Sequence, residues 1–281
     1  SRRQRQMCIR DRTYSLVVKG ITTSGSDSSE ELRDVSVFQF SDGNLYKTQQ
    51  LTPESNGQSS ISALSGSRLY FLTGVTVPVQ EGNITEEEFR NMTIGEELHN
   101  NSAPDFMAAV VELESSPQTR SSQEINVGMK RGVARIDLNT TADSKTLIKE
   151  IIVKDAPAET YPFIENTSAS DKTVSYLKKF DPAFGGEQQG IFRIFESKRP
   201  VNIILRGTYN EIPISLKMQL PSIERNKIYE LSVLNVGATV EGIFEIKPWE
   251  EGETIIGKPD TEHRILLNAS QSKIPEGVTV D

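Results

Sequence analysis

The chain has 281 residues, 36% hydrophobic and 25% charged, enough apolar material for two ordinary domains or one large β domain. Its net charge is -8; without residues 1–12, which hold five Arg and one Asp, the body carries 26 basic against 38 acidic side chains, a net of -12. Such a surface repels phosphate backbones and argues against a nucleic-acid partner, no apolar run is long enough to span a bilayer, and a single cysteine permits no internal disulfide.

Residues 1–12, "SRRQRQMCIRDR", are unlike the rest of the chain. A secretory signal needs a basic end and then roughly 7–15 apolar residues; here Arg leads to Met7, Cys8 and Ile9 and back to charge. Cys8 lacks the small and aliphatic residues that precede a lipidated cysteine, and the segment has no aromatic ring to stack on bases. "RRQRQMCIRDR" resembles a translated sequencing adapter. Residues 1–12 are therefore expected to be a non-native tail, with the true start of the protein upstream.

Strand patterns then dominate. "DVSVFQF" (34–40) sets Ser36, Phe38 and Phe40 on one side and Val35, Val37 and Gln39 on the other; Asp42-Gly43 signals a tight turn, so residues 34–51 predict a hairpin. "RLYFLTGVTV" (68–77) predicts a strand, with Gly74 marking a bulge or close approach. "ITEEEFRNM" (84–92) breaks the pattern: Thr85 with Glu88 is a capping box opening a short helix. "PDFMAAVVEL" (104–113) fits a short helix or a strand. "GVARIDL" (132–138) alternates, Ala134, Ile136 and Leu138 opposing Val133, Arg135 and Asp137. "NTTADSK" (139–145) is a polar break and the expected domain boundary. "LIKEIIVKDA", "GIFRIFES", "PVNIILRGTY", "IPISLKMQL", "KIYELSVLNV" and "GIFEIKPW" come after it as strands, Pro213 pointing to an edge. Many short strands, few helices and polar turns predict an all-β fold with minor α, two antiparallel β-sandwiches in tandem at residues 13–140 and 141–256, and a C-terminal extension, 257–281.

No catalytic motif emerges. "FGGEQQG" (184–190) lacks the Lys-Ser/Thr of a phosphate loop and reads as a flexible loop. Glu86, Glu87 and Glu88 have no nucleophile, base or metal beside them in sequence. His99 and His263, far apart and without Cys partners, do not compose a zinc site, and no calcium-loop spacing occurs. Six Asn-x-Ser/Thr triplets read as chance in a chain rich in these residues. Trp249, the sole tryptophan, reads first as a residue closing the second sandwich core and second as a sugar-stacking platform. The expectation is a protein without enzymatic activity, metal or cofactor.

"VSVFQFSDGNLYK", "SRLYFLTGV", "MKRGVARIDLN" and "NKIYELSVLNVGATVEGIFEIKPWEEGE", in that order, resemble the fimbrillins, the type V pilin-like proteins of Bacteroidales, over about residues 13–256. The resemblance implies two Greek-key, transthyretin-like sandwiches, export as a lipoprotein to the outer membrane, and assembly with other fimbrial subunits by donor-strand exchange, with host or bacterial surface ligands as further partners. Membrane attachment would come only through a lipid anchor outside this chain. In shaft subunits of the family an Arg-directed protease removes the first strand. That strand maps here to "TYSLVVKGI" (13–21), with Thr13, Tyr14, Leu16 and Val18 as its candidate complementing residues. The loop after it, "TTSGSDSSEEL" (22–32), contains no Arg or Lys; Arg33 is the candidate processing site. The departure from the shaft pattern favours an accessory, anchor or tip subunit. Residues 257–281 then stand as a donor strand or the start of a further, truncated domain. The alternative is a surface carbohydrate-binding or other adhesin lipoprotein on the same fold.

Overall fold

The computed structural model describes residues 13–23, 35–51, 58–79, 81–95, 102–113, 123–141, 145–236 and 239–249, with the strand path alone for residues 13–23, 58–60, 123–124, 126, 234–236 and 239. The N-terminal half comprises β1 (Thr13–Thr23), β2 (Val35–Ser41), β3 (Asn44–Leu51), β4 (Gln58–Leu64), β5 (Arg68–Thr73), a short helix α1 (Glu86–Arg90), β6 (Ile94–Gly95), β7 (Met107–Glu112) and β8 (Gln123–Arg131). Seven of these strands form one sheet in the order β3-β2-β5-β7-β8-β1-β4. β8 pairs with β1 from Gln123 to Met129 but with β7 only at Lys130 and Arg131, so it hands the sheet from one layer to the other. Val35, Val37, Leu69, Phe71 and Met107 pack against Ile61, Ala63, Val127 and Met129 to fill the space between the layers. At the far side the Gln49 amide on β3 stands in for a ladder: its Nε2 donates to the Ser62 carbonyl at 3.1 Å and its Oε1 accepts from the Ser62 N–H at 3.4 Å.

The local signals act as their chemistry dictates. Asp42 and Gly43 both take positive φ, 51° and 78°, as the two-residue turn of the β2–β3 hairpin requires. Alternation along β2 puts Val35 and Val37 in the sandwich and Phe38 and Phe40 on the opposite face. Gln39 falls on the inner side, where its Nε2 donates to Ser67 Oγ at 2.9 Å. A Cβ on Gly74 would lie 2.1 Å from the Asp105 carbonyl oxygen, the close approach that the glycine permits. The capping box of α1 is complete, Thr85 Oγ1 accepting from the Glu88 N–H and Glu88 from the Thr85 N–H, and Phe89 is buried. Glu86 ties the helix to the sheet: Arg68 Nη1 donates to Glu86 Oε1 at 2.6 Å and the Tyr70 hydroxyl to the same oxygen at 2.5 Å. "PDFMAAVVEL" resolves as strand β7.

The C-terminal half comprises β9 (Val133–Asn139), β10 (Thr146–Pro157), β11 (Glu159–Thr160), β12 (Thr173–Phe184), β13 (Glu187–Phe195), β14 (Val201–Tyr209), β15 (Ile212–Leu220), β16 (Lys227–Val236) and β17 (Thr239–Pro248). Sheet β12-β10-β14-β15 faces sheet β13-β9-β16-β17 across a core that includes Ile136, Leu138, Ile151, Val153, Phe192, Ile203, Leu205 and Leu231. β15, with Pro213, is an edge strand, as its proline requires.

Several expectations are corrected. β9 pairs with β13 and β16, so "GVARIDL" opens the second sandwich rather than closing the first, and the division falls at Gly132 instead of 139–145. The all-β sandwich fold with mainly antiparallel sheets stands as expected; within it β1 runs parallel to β8 and β9 parallel to β16, each pair uniting strands far apart in sequence. "FGGEQQG" is no loose loop but the reversal between β12 and β13, tied by the Thr140 N–H donating to the Gly186 carbonyl at 2.8 Å. The second face of β9 is buried too: Arg135 clasps Asp137 through contacts of 2.9 to 3.2 Å, and Asp137 Oδ1 accepts from the Gly190 N–H at 2.7 Å.

The halves share a third cluster. Phe38, Phe40, Tyr70, Leu72, Phe89 and Phe106 of the first meet Val133, Phe195 and Trp249 of the second. Segment 158–166 reaches across: β11 pairs with β6, and the Phe163 ring lies 4.9 Å from Tyr70 and 5.3 Å from Phe89. Arg225 holds that segment, donating to the carbonyls of Tyr161, Pro162 and Ile164 at 3.1 to 3.3 Å and pairing with buried Glu196. Asp105 adds a polar clasp, accepting from Arg131 at 2.8 Å and from Arg193 at 3.0 Å.

Burial pushes two phenols up: Tyr70, which also donates to Glu86, and Tyr229, to about 12 each. A raised phenol pKa keeps its proton in the folded state after the unfolded chain has lost it. The stabilisation is complete below the unfolded phenol pKa of about 10 and is lost as pH rises toward 12. Phenolate absorbance should therefore show two late-titrating tyrosines, and the melting temperature should fall across that same window.

Candidate assembly site around the first strand

β1 runs between β4 and β8. Against β4 it is antiparallel, from Thr13 opposite Leu64 to Lys19 opposite Gln58. Against β8 it is parallel, from Leu16 opposite Gln123 to Thr23 opposite Met129, with an irregularity between Lys19 and Ile21. Residues Leu16 to Lys19 thus have ladder partners on both sides. Among the described residues β4 pairs with no other strand, and side chains make its further ties to the sheet, the Gln49 amide to Ser62 and Ser67 Oγ to the Leu64 carbonyl. A strand so placed is removable in principle: neither neighbour is next to it in sequence, and its absence would leave a slot flanked by two rows of backbone donors and acceptors.

The predicted complementing residues fall on this strand. Thr13 stands opposite Leu64, Tyr14 opposite Ala63, Leu16 opposite Ile61 and Val18 opposite both Ser59 and Ile125. The floor beneath is apolar, since Ile61, Ala63, Val127 and Met129 are buried in the first core. Arg33, Cys8, His99, the loop 24–34 and the extension 257–281 lie outside the described residues. The sequence pattern does not point to the flanks. Gln58–Leu64 and Gln123–Arg131 become the walls of the slot only through pairing with a strand far away in sequence, and Gln49 looks like any outward polar residue until its partner is known.

Trp249, the candidate sugar platform, is only 2% exposed and belongs to the cluster between the halves rather than to the second core. Arg131 lies over its ring at 4.7 Å and Arg135 at 5.2 Å, so the indole is enclosed by protein. That overturns the stacking role for this residue. Among the described residues no group of three His, Cys, Asp or Glu side chains could hold a metal ion, and no helix is long and apolar enough to cross a membrane.

No protein-family model and no curated protein sequence matches the chain. Solved structures do. The tip fimbrial protein Mfa3 of Porphyromonas gingivalis, in a C-terminally truncated form, superposes with a TM-score of 0.62 at 10% identity, covering 85% of this chain and 100% of that one. The fimbrilin FimA of the same species gives 0.57 at 10% identity, with 87% and 99% covered. A candidate polysaccharide-binding protein of Bacteroides thetaiotaomicron gives 0.53 at 12% identity, with 85% and 99% covered. The chain has the fold of the Bacteroidales fimbrillin-like proteins.

Proposed function

We propose that this chain is a non-enzymatic subunit of a cell-surface fimbria, active in fimbria assembly and adhesion through β-strand complementation, with β1 as the strand that fills its slot. The observation that carries the reading is the position of β1, paired on both sides with strands remote in sequence. A strand from another subunit entering the vacated slot would satisfy the same backbone groups and cover the same apolar floor. The likeness in fold to a tip fimbrial protein and to a fimbrilin supports the same conclusion. The subunit is an accessory one, anchor or tip, because residues 22–32 offer an Arg-directed protease no cleavage point and Arg33 directly precedes Asp34 and β2; β1 then stays in its slot, which is closed to a donor strand for as long as β1 fills it.

Treating the folded chain with an Arg-specific protease tests the accessory role. Residues 13–33 are expected to stay attached and the chain to remain unpolymerised. Quantitative release of that segment followed by polymer growth would make it a shaft subunit.

The second reading, a glycan-binding adhesin, draws on the likeness to the candidate polysaccharide-binding protein. It has lost its best residue with the burial of Trp249. Tyr46, at 52% exposure, is the aromatic among the exposed large hydrophobics, and a glycan array read with Tyr46→Ala separates the two readings.

A further inference from the structure

The two halves differ in charge. Residues 13–131 hold eight Lys and Arg against sixteen Asp and Glu; residues 132–249 hold fifteen of each. Four cations of the balanced half share one surface, the outer face of sheet β12-β10-β14-β15. Register lays that face out in rows. Leu177, Ile152, Ile204 and Lys217 stand side by side across the four strands. The next row is Lys179, Glu150, Arg206 and Ser215. On the other side Lys154 stands beside Asn202 and Gln219. Lys154, Lys179, Arg206 and Lys217 are exposed; of the acids among them, Glu150 is bonded to Arg206 at 2.7 Å and Asp155 accepts from Asn202 at 2.7 Å. The apolar row is open at its edge: Leu177 is 38% exposed, Ile152 half-buried and Ile204 buried, and Leu147 farther along the face is 40% exposed.

An apolar centre with a cationic rim is the anatomy of a protein contact. The rows carry no aromatic side chain, so the face lacks what a sugar ring would stack on. Its complement is present on the same molecule. The β2–β3 turn and the start of α1 are joined by the Glu86 N–H donating to the Gly43 carbonyl at 2.9 Å, and Glu81 Oε1 accepts from the Thr48 N–H at 2.7 Å. Together they gather exposed Asp42, Glu81, Glu87 and Glu88 at one pole of the first sandwich.

We propose that the outer face of β12-β10-β14-β15 docks the acidic pole of a second copy of this chain. Face and pole are different surfaces, so the contact is head-to-tail and extends into an open array rather than closing as a dimer. Four strands at their normal spacing present roughly 400–500 Å², about half of one side of a standard interface. The contact is therefore weak alone and sensitive to salt, and it acts by orienting copies held near one another. The face lies in the second half and the pole on the β2–β3 turn and α1, so neither surface includes β1 and the contact is tested with β1 in place.

The test is sedimentation velocity of the intact chain, with β1 in place, at high protein concentration in about 20 mM and about 500 mM salt, where screening differs severalfold. Concentration-dependent association is expected at low salt and its loss at high salt. Lys179→Glu with Lys217→Glu, and separately Glu87→Lys with Asp42→Asn, should each weaken association about tenfold or more, as opposed charges at a rim do. All four positions are exposed, and unchanged melting curves would verify folding. Mixing the two variants pairs a reversed face with a reversed pole and should restore association. Monomers under every condition, association indifferent to these substitutions, or failure of the mixture to recover would overturn the proposal. So would a monomer that binds heparin through Lys179 and Lys217, which would make the face an anionic-glycan site.

Discussion

Arg225→Met is expected to lower the stability of the chain by about 3–5 kcal/mol, the usual result of removing one member of a buried ion pair. Arg225 and Glu196 are 9% and 5% exposed. Without the guanidinium, the Glu196 carboxylate stays buried with the Asn166 N–H, at 3.1 Å, as its remaining neighbour among the bonds described. The carbonyls of Tyr161, Pro162 and Ile164 lose their donor at the same time. The loss should spread to the junction between the halves, because these carbonyls belong to the segment that inserts Phe163 between Tyr70 and Phe89. Hydrogen exchange at 158–166 should rise along with the drop in melting temperature. Adding Glu196→Gln should recover part of the loss, since no charge is then left buried without a counter-ion. If Arg225→Met melts within about 1 kcal/mol of the parent, the node is surface decoration.

Gly132→Ala is expected to cost about 3 kcal/mol, at or above the upper end for an overpacked core, because the new methyl has nowhere to go. An ideal Cβ there would fall 1.8 Å from Phe106 Cζ and 2.1 and 2.4 Å from the flanking ring carbons. The ring cannot step aside cheaply, being 1% exposed in the cluster that joins the halves, and the Gly132 N–H is itself bonded to the Phe106 carbonyl at 2.8 Å. Since Gly132 links β8 to β9, strain at this point is strain at the division between sandwiches. Phe106→Ala removes the obstacle but on its own costs about 3–5 kcal/mol. The double variant should lose clearly less than the two single losses together, and strict additivity would show that ring and methyl do not meet.

The strands were legible in the sequence, but their partnerships were not. Asp42-Gly43, Thr85 with Glu88, Gly74 and Pro213 each act through the backbone within a few residues, so the local pattern reports them faithfully. Gly132 shows the limit. A strand on either side of it alternates equally well, and which sandwich owns β9 depends on β13 and β16, whose pairing leaves no local trace. Trp249 misled for the same reason: at the end of an alternating strand its burial was expected, while its neighbours Phe106 and Phe195 come from elsewhere in the chain. Arg225, inside a polar turn between β15 and β16, looks solvent-bound until the carbonyls of 161–164 fold over it. The placement of β1 between β4 and β8 is the same kind of fact. Resemblance named the strand, and its two walls emerged only with the sheet.

The central claim is that β1 is a separable strand whose slot, once β1 is removed, accepts a strand from outside. It is tested most directly by preparing residues 34–281 and adding a synthetic peptide of residues 13–23, "TYSLVVKGITT", labelled for fluorescence anisotropy. The shortened chain should melt well below the whole one, bind the peptide saturably at one site, and regain most of the lost melting temperature, while a scrambled peptide does nothing. A shortened chain as stable as the parent, or one indifferent to the peptide, would contradict strand complementation in this protein.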